Sequence, residues 1–119
     1  MNATDLVLDA AAIARLRHLA ETVALPGEDL IGQLVGIFEN DSRNRFAELT
    51  AAWRRGDSAV ACRAAHTIKG SAANLGASRV VLLGRAIEQL CHDEAPCDEV
   101  ALESLRVALD EAWAALRTL

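Results

Sequence analysis

The sequence predicts an all-α protein, an up-and-down antiparallel four-helix bundle with an additional short N-terminal helix. Three observations carry this. Alanine and leucine dominate a chain that is 52% hydrophobic but only 3% aromatic, with no tyrosine. Helix packing needs no more than that, whereas sheets favour β-branched and aromatic side chains. Apolar residues recur at three- and four-residue spacing along successive segments, the period of a helix with one buried face. Helix-capping residues, glycine and proline punctuate those segments at short intervals, and no strand-like alternation competes.

Asp9 caps the first, short helix, which carries Ile13, Leu16 and Leu19 before Leu25-Pro26-Gly27 ends it. The second helix runs to about Arg55. Ile31, Leu34, Val35 and Phe38 share a face that Phe46, Leu49 and Trp53 resume. The polar stretch between them, Glu39 to Arg45, reads as a solvated face of one continuous helix, with a break near Asn40 as the alternative. Gly56 suits a left-handed helix stop and Asp57 caps the next helix. This third helix presents Ala61, Ala64, Ala65, Ile68, Ala72 and Leu75 and stops at Gly76. A fourth begins near Ser78 with Val80, Leu83, Gly84, Ile87 and Leu90. The segment from Cys91 to Cys97 contains Pro96 and reads as a loop. Asp98 then caps a last helix striped by Leu102, Leu105, Leu109, Trp113 and Leu116. Trp53 and Trp113 fall on these stripes and read as core. Four amphipathic helices on short loops imply an antiparallel bundle, the first short helix covering one end or side. The 119 residues fit a single domain over 1–119.

Composition narrows the function. The net charge is −5, and no stripe of Lys and Arg is present, so neither nucleic acid nor an anionic membrane surface is an expected partner. No run approaches the ~20 apolar residues of a membrane span. The start carries Asp5 where a secretory signal needs positive charge. A cytoplasmic monomer is expected, and the start at Met1 favours a free-standing protein over a domain cut from a hybrid kinase. Cys62, Cys91 and Cys97 are odd in number and irregular in spacing, so they form no disulfide framework. Cys91, His92, Asp93 and Cys97 match no zinc-ligand spacing. His18 reads as an ordinary surface residue.

The chemistry concentrates in the third helix. His66 lies off the apolar stripe, on a face with Cys62, Arg63, Lys69, Gly70 and Ala73; residues three and four apart on a helix are neighbours. A neutral imidazole is a nucleophile near neutral pH. Phosphorylating it builds up negative charge that the Lys69 ammonium can offset. Glycine within a helix costs about 1 kcal/mol relative to alanine, so Gly70 calls for a reason: either access of a partner to His66 or close helix packing. Taken singly, a surface histidine and a lysine one turn on are ordinary.

The string His66-x-x-Lys69-Gly70-Ser71, followed by Asn74-Leu75-Gly76, resembles the signature of histidine phosphotransfer (HPt) domains of bacterial phosphorelays. Asp9-Ala10-Ala11-Ala12, Gly56-Asp57, and Leu83-Gly84 with Glu88 extend the resemblance over nearly the whole chain. It implies a four-helix bundle with His66 exposed and phosphoryl exchange between His66 and an aspartate of a response-regulator receiver domain. By the same resemblance Lys69 steadies the phosphate and Gly70 gives access. The chain has no nucleotide site of its own, a hybrid histidine kinase feeds the relay, and Mg²⁺ comes with the receiver. One departure is Glu88, where some members carry a glutamine that hydrogen-bonds the histidine and the chemotaxis-kinase type carries a glutamate. A carboxylate there can accept from one ring nitrogen and leave the other as nucleophile; the competing reading is a solvated helix residue. Members of the family bind receivers through an apolar patch beside the histidine, which here points to Ile13, Leu16, Leu30 and Ile31; the alternative is that these are core residues, and helical period alone does not separate the two uses. Rival functions are an unphosphorylated scaffold that docks a receiver or kinase, and the phosphoacceptor module of a chemotaxis-type or hybrid kinase.

Overall fold

A computed structural model describes residues 7–119; the sequence reading of the first six residues lies outside them. Among the described residues five helices run in order: α1 (Ala10–Val23), α2 (Leu30–Arg54), α3 (Ser58–Asn74), α4 (Ser78–His92) and α5 (Glu99–Arg117). Aspartates start four of them. Asp9, Asp29, Asp57 and Asp98 accept from the backbone N–H of Ala11, Gly32, Val60 and Ala101 at 2.9–3.2 Å, filling donors that the first helical turn leaves open. α4 lacks a side-chain cap. It starts from a tight turn in which Gly76 adopts φ +70° and the buried Ala77 donates back to Ala72 O at 2.9 Å.

α2 through α5 form the bundle: α3 packs on α2 and α4, and α5 closes the ring against α4 and α2. The expected stripes face inward. Ala61, Ala64, Ala65, Ile68 and Ala72 of α3 are buried against Leu102, Leu105, Leu109, Trp113 and Leu116 of α5 and Leu49 and Trp53 of α2, in one core. α1 lies outside the ring, packed on α2. It is pinned to the α3–α4 turn, where Asp9 N donates to Gly76 O at 2.6 Å. A side chain at position 76 would put its Cβ 2.9 Å from Ala12 Cβ, so only glycine allows both this turn and this contact.

Two sequence expectations are corrected. α2 is continuous, but Glu39–Arg45 is not wholly a solvated face, because Ser42 is 1% exposed. It sits one turn after Phe38 on the core stripe, donates to Phe38 O at 2.6 Å and accepts from the Trp113 indole N–H at 2.9 Å. A core tryptophan needs an acceptor for that N–H, and a serine in the stripe provides it. Trp53 meets the same need at Ala95 O, 3.0 Å away. The apolar patch expected on Ile13, Leu16, Leu30 and Ile31 also changes. Ile13 and Leu16 are core, Leu30 and Ile31 are half-buried, and the exposed apolar side chains in this region are Leu19, Val23 and Leu25. A short helix has one apolar face, and α1 turns it onto the bundle.

Candidate functional site

The site lies on the seam between α3 and α4. Burying Ala61, Ala64, Ala65 and Ile68 rotates His66 outward, leaving its side chain 66% exposed. Its neighbours depend on how near α4 can come. Gly84 decides that: a Cβ there would sit 3.3 Å from Lys69 Cβ, 3.6 Å from Lys69 Cα and 3.7 Å from Ala65 O. The two helices meet almost backbone to backbone at this level. One turn further along α4, Glu88 therefore reaches both His66 and Lys69 of α3.

The Glu88 carboxylate bridges them, one oxygen to each. Oε2 lies 2.6 Å from His66 Nδ1, and Oε1 accepts from Lys69 Nζ at 2.5 Å. Both Glu88 and Lys69 are largely covered, with side-chain exposures of 21% and 24%. Burial alone would raise the Glu88 carboxyl, but the hydrogen bonds and charges of Lys69 and His66 outweigh it and hold the group below the usual range. An ionised carboxylate only accepts. Nδ1 of a neutral His66 therefore carries the hydrogen and donates it to Glu88, which leaves the Nε2 lone pair facing solvent. Of the two sequence readings of Glu88, the solvated helix residue is wrong.

Gly70 is exposed, and a Cβ built on it meets nothing within 4 Å. Packing does not explain this glycine; the open space lies one turn from His66. Helix packing is instead the task of Gly84, which the sequence pattern did not single out for that role. The same signal marked both glycines, an unfavourable residue inside a helix, but only the register between α3 and α4 tells them apart. That register also pairs Lys69 with Glu88, a contact invisible in the sequence. His18 and His92 are exposed. Among the described residues, no three of His, Cys, Asp and Glu gather where a metal ion could be held.

Residues 33–118 match the family model described as Hpt domain. The chain belongs to the Hpt domain family. It is accordingly a phosphotransfer domain of phosphorelays, and its bundle is the family's own. In fold it is similar to histidine-containing phosphotransfer protein B of Pseudomonas aeruginosa, with a TM-score of 0.79, 22% identity, and coverage of 93% of this chain and 91% of that one. It is equally similar to the histidine-containing phosphotransfer protein ZmHP2 of maize, with a TM-score of 0.80, 24% identity, and coverage of 96% and 83%. A search of curated proteins finds no match. No helix among the described residues is long and apolar enough to cross a membrane.

Proposed function

We propose that His66 is the phosphoacceptor of this Hpt domain and that Nε2 is the atom that takes the phosphoryl group. The observation that supports this most is the 2.6 Å contact between Nδ1 and Glu88, which ties up one ring nitrogen and frees the other on the exposed side.

In the exchange, the Nε2 lone pair attacks phosphorus of a receiver's aspartyl phosphate. The N–P bond forms, the P–O bond to the aspartate breaks, and the aspartate leaves as a carboxylate. The imidazole becomes cationic because Nδ1 still holds its hydrogen. Glu88 faces that hydrogen and stabilises the developing positive charge, as a buried carboxylate does for a catalytic imidazole. Lys69 spends one of its three donors on Glu88 and keeps others for the phosphoryl oxygens. Gly70 leaves room for the edge of the receiver's active site. Mg²⁺ belongs to the receiver in this scheme, and the chain makes no phosphoryl group of its own.

On this reading the domain is a cytoplasmic monomer, folded as one unit over 1–119. It exchanges its phosphoryl group with response-regulator receiver domains and is supplied through a hybrid histidine kinase. The exposed Leu19, Val23 and Leu25 replace the buried Ile13 and Leu16 as the apolar groups offered to the receiver.

The test is direct. Incubation with a phosphorylated receiver should label the wild type with acid-labile, base-stable phosphate. His66→Gln should take up none while keeping its helical circular dichroism, and His18→Gln and His92→Gln should label normally. Label retained on a folded His66→Gln protein would refute the assignment.

A further inference from the structure

Two thiols lie on the same α3–α4 seam and take no part in phosphoryl exchange. Cys62, one turn before His66, is half-buried, and its Sγ lies 3.7 Å from the Glu88 carbonyl oxygen. Cys91, one turn after Glu88, is 1% exposed. The antiparallel register places them at one level. Gly84 lies against Ala65 and Lys69, Glu88 against Cys62 and His66, and one more turn along α4 brings Cys91 opposite Cys62. Both thiols are free. Burial, with Cys62 and Cys97 nearby, pushes the Cys91 thiol up to about 11, so Cys91 stays protonated and shielded while Cys62 sits nearer the surface.

We infer that Cys62 and Cys91 form a reversible disulfide on exposure to peroxide, clamping α3 to α4 beside Glu88. Cys62 reacts first: its thiolate sulfur attacks the peroxide, an S–O bond forms, the O–O bond breaks, and hydroxide leaves and is protonated to water. Cys91 then attacks the Cys62 sulfenic acid. The S–S bond forms, the S–O bond breaks, and hydroxide leaves with the Cys91 proton as a second water. The thiol pair loses two electrons and the peroxide gains them. A dithiol reductant reverses the link.

The bond has a consequence for the site. A disulfide holds its two Cα atoms about 4.4–6.8 Å apart with the sulfurs bonded, so the Cys62 Sγ has to turn from the Glu88 carbonyl oxygen, 3.7 Å away, toward Cys91. Closing it moves Cys62 off the Glu88 carbonyl and shifts the turn of α4 that presents the Glu88 carboxylate to His66. This coupling rests on His66 being the phosphoacceptor; the disulfide itself does not.

The experiment treats the full chain with hydrogen peroxide and maps peptides under non-reducing conditions, with receiver-dependent labelling measured on the same samples. The expected link joins the Cys62 and Cys91 peptides, vanishes in Cys62→Ser and Cys91→Ala, and is reversed by dithiothreitol. Labelling of the oxidised wild type should fall severalfold and recover on reduction, while peroxide-treated Cys62→Ser should keep its untreated rate. A Cys91–Cys97 link, or three cysteines oxidised singly with no link, overturns the site. A Cys62–Cys91 link with labelling unchanged overturns its coupling to the phosphoacceptor. A wild type that takes no label even when reduced points to failure of the His66 assignment, and the peptide map still decides the disulfide.

Discussion

Gly70 and Gly84 sit in neighbouring helices of one site, and filling them should have opposite effects. At position 70 a new Cβ meets nothing within 4 Å, so only helix propensity changes. Replacing glycine by glutamine in a helix gains roughly 0.6 kcal/mol. Unfolding entropy of about 2.1 cal/mol/K per residue amounts to roughly 0.25 kcal/mol/K for 119 residues. Gly70→Gln should therefore raise Tm by about 2 °C. Receiver-dependent labelling should nevertheless drop at least tenfold, about 1.4 kcal/mol of barrier, because the longer side chain occupies the space beside His66. Phosphoramidate needs no docking surface, so its slow reaction with His66 should change little.

At position 84 the new Cβ arrives 3.3 Å from Lys69 Cβ, with Lys69 Cα 0.3 Å beyond that. Both atoms belong to or adjoin a packed backbone and cannot swing aside. Overpacking of this kind costs about 1–3 kcal/mol, set against a propensity gain of about 1 kcal/mol. Gly84→Ala should lower Tm by about 4 °C, the equivalent of a net loss near 1 kcal/mol. It should also slow transfer from receiver and phosphoramidate alike, since it pushes Lys69 away from Glu88. Differential scanning calorimetry alongside both labelling reactions reads every term. A Gly70→Gln protein that melts lower than wild type, or loses equal activity toward both donors, would overturn the access role of Gly70.

Lys69→Ala should slow transfer from the receiver by about tenfold with the bundle intact by circular dichroism; unchanged rates would reduce Lys69 to a partner of Glu88 alone. Glu88 has a folded pKa below its ordinary 4.5, so its contribution to stability is complete above about pH 4.5 and is lost as pH falls through the folded value. The difference in urea midpoint between wild type and Glu88→Gln should accordingly shrink on acidification below that pH, and a difference that grows would contradict the sign. Ser42→Ala removes the acceptor of a buried indole N–H, which costs about 1–3 kcal/mol. A lowered urea midpoint checks this, and adding Trp113→Phe should recover part of the loss.

The sequence made the helices legible because their signals are local. An aspartate before an apolar-periodic run located three helix starts, at Asp9, Asp57 and Asp98, and the burial of all five residues of the last stripe, Leu102 to Leu116, could be read from spacing alone. Ser42 was hidden because polarity was read as exposure, whereas its hydroxyl is inside to serve Trp113. Whether Ile13 and Leu16 serve the core or a partner stayed open in the sequence because a short helix has the same period whether its apolar face meets the bundle or another protein. His66, Lys69 and Gly70 were visible as a motif on one helix. The role of Glu88 was open because it depends on which residues of α3 stand opposite α4. Gly84, whose added Cβ would lie 3.3 Å from Lys69, fixes that register, and nothing in the spacing along either helix encodes it.

If His66 is the phosphoacceptor, as proposed, the same register bears on the balance between forward and reverse exchange. Before transfer, with a neutral imidazole, Glu88 and Lys69 cancel, and the site carries no net charge. After transfer the ring is cationic and the phosphoryl oxygens are anionic. Glu88 touches Nδ1 at 2.6 Å, so it stabilises the ring cation and repels the phosphoryl group, which sits on the far nitrogen. Lys69 does the reverse. The two residues act from opposite ends of one salt bridge of 2.5 Å, each stabilising one charge of the phosphohistidine and repelling the other. Replacing Glu88 by glutamine removes the repulsion together with the stabilisation of the ring. Forward and reverse rates with a receiver should then fall unequally, and their ratio, measured at equilibrium with radiolabelled phosphate, should move from its wild-type value. Equal losses in both directions, with the ratio unchanged, would mean that Glu88 acts only on the transition state.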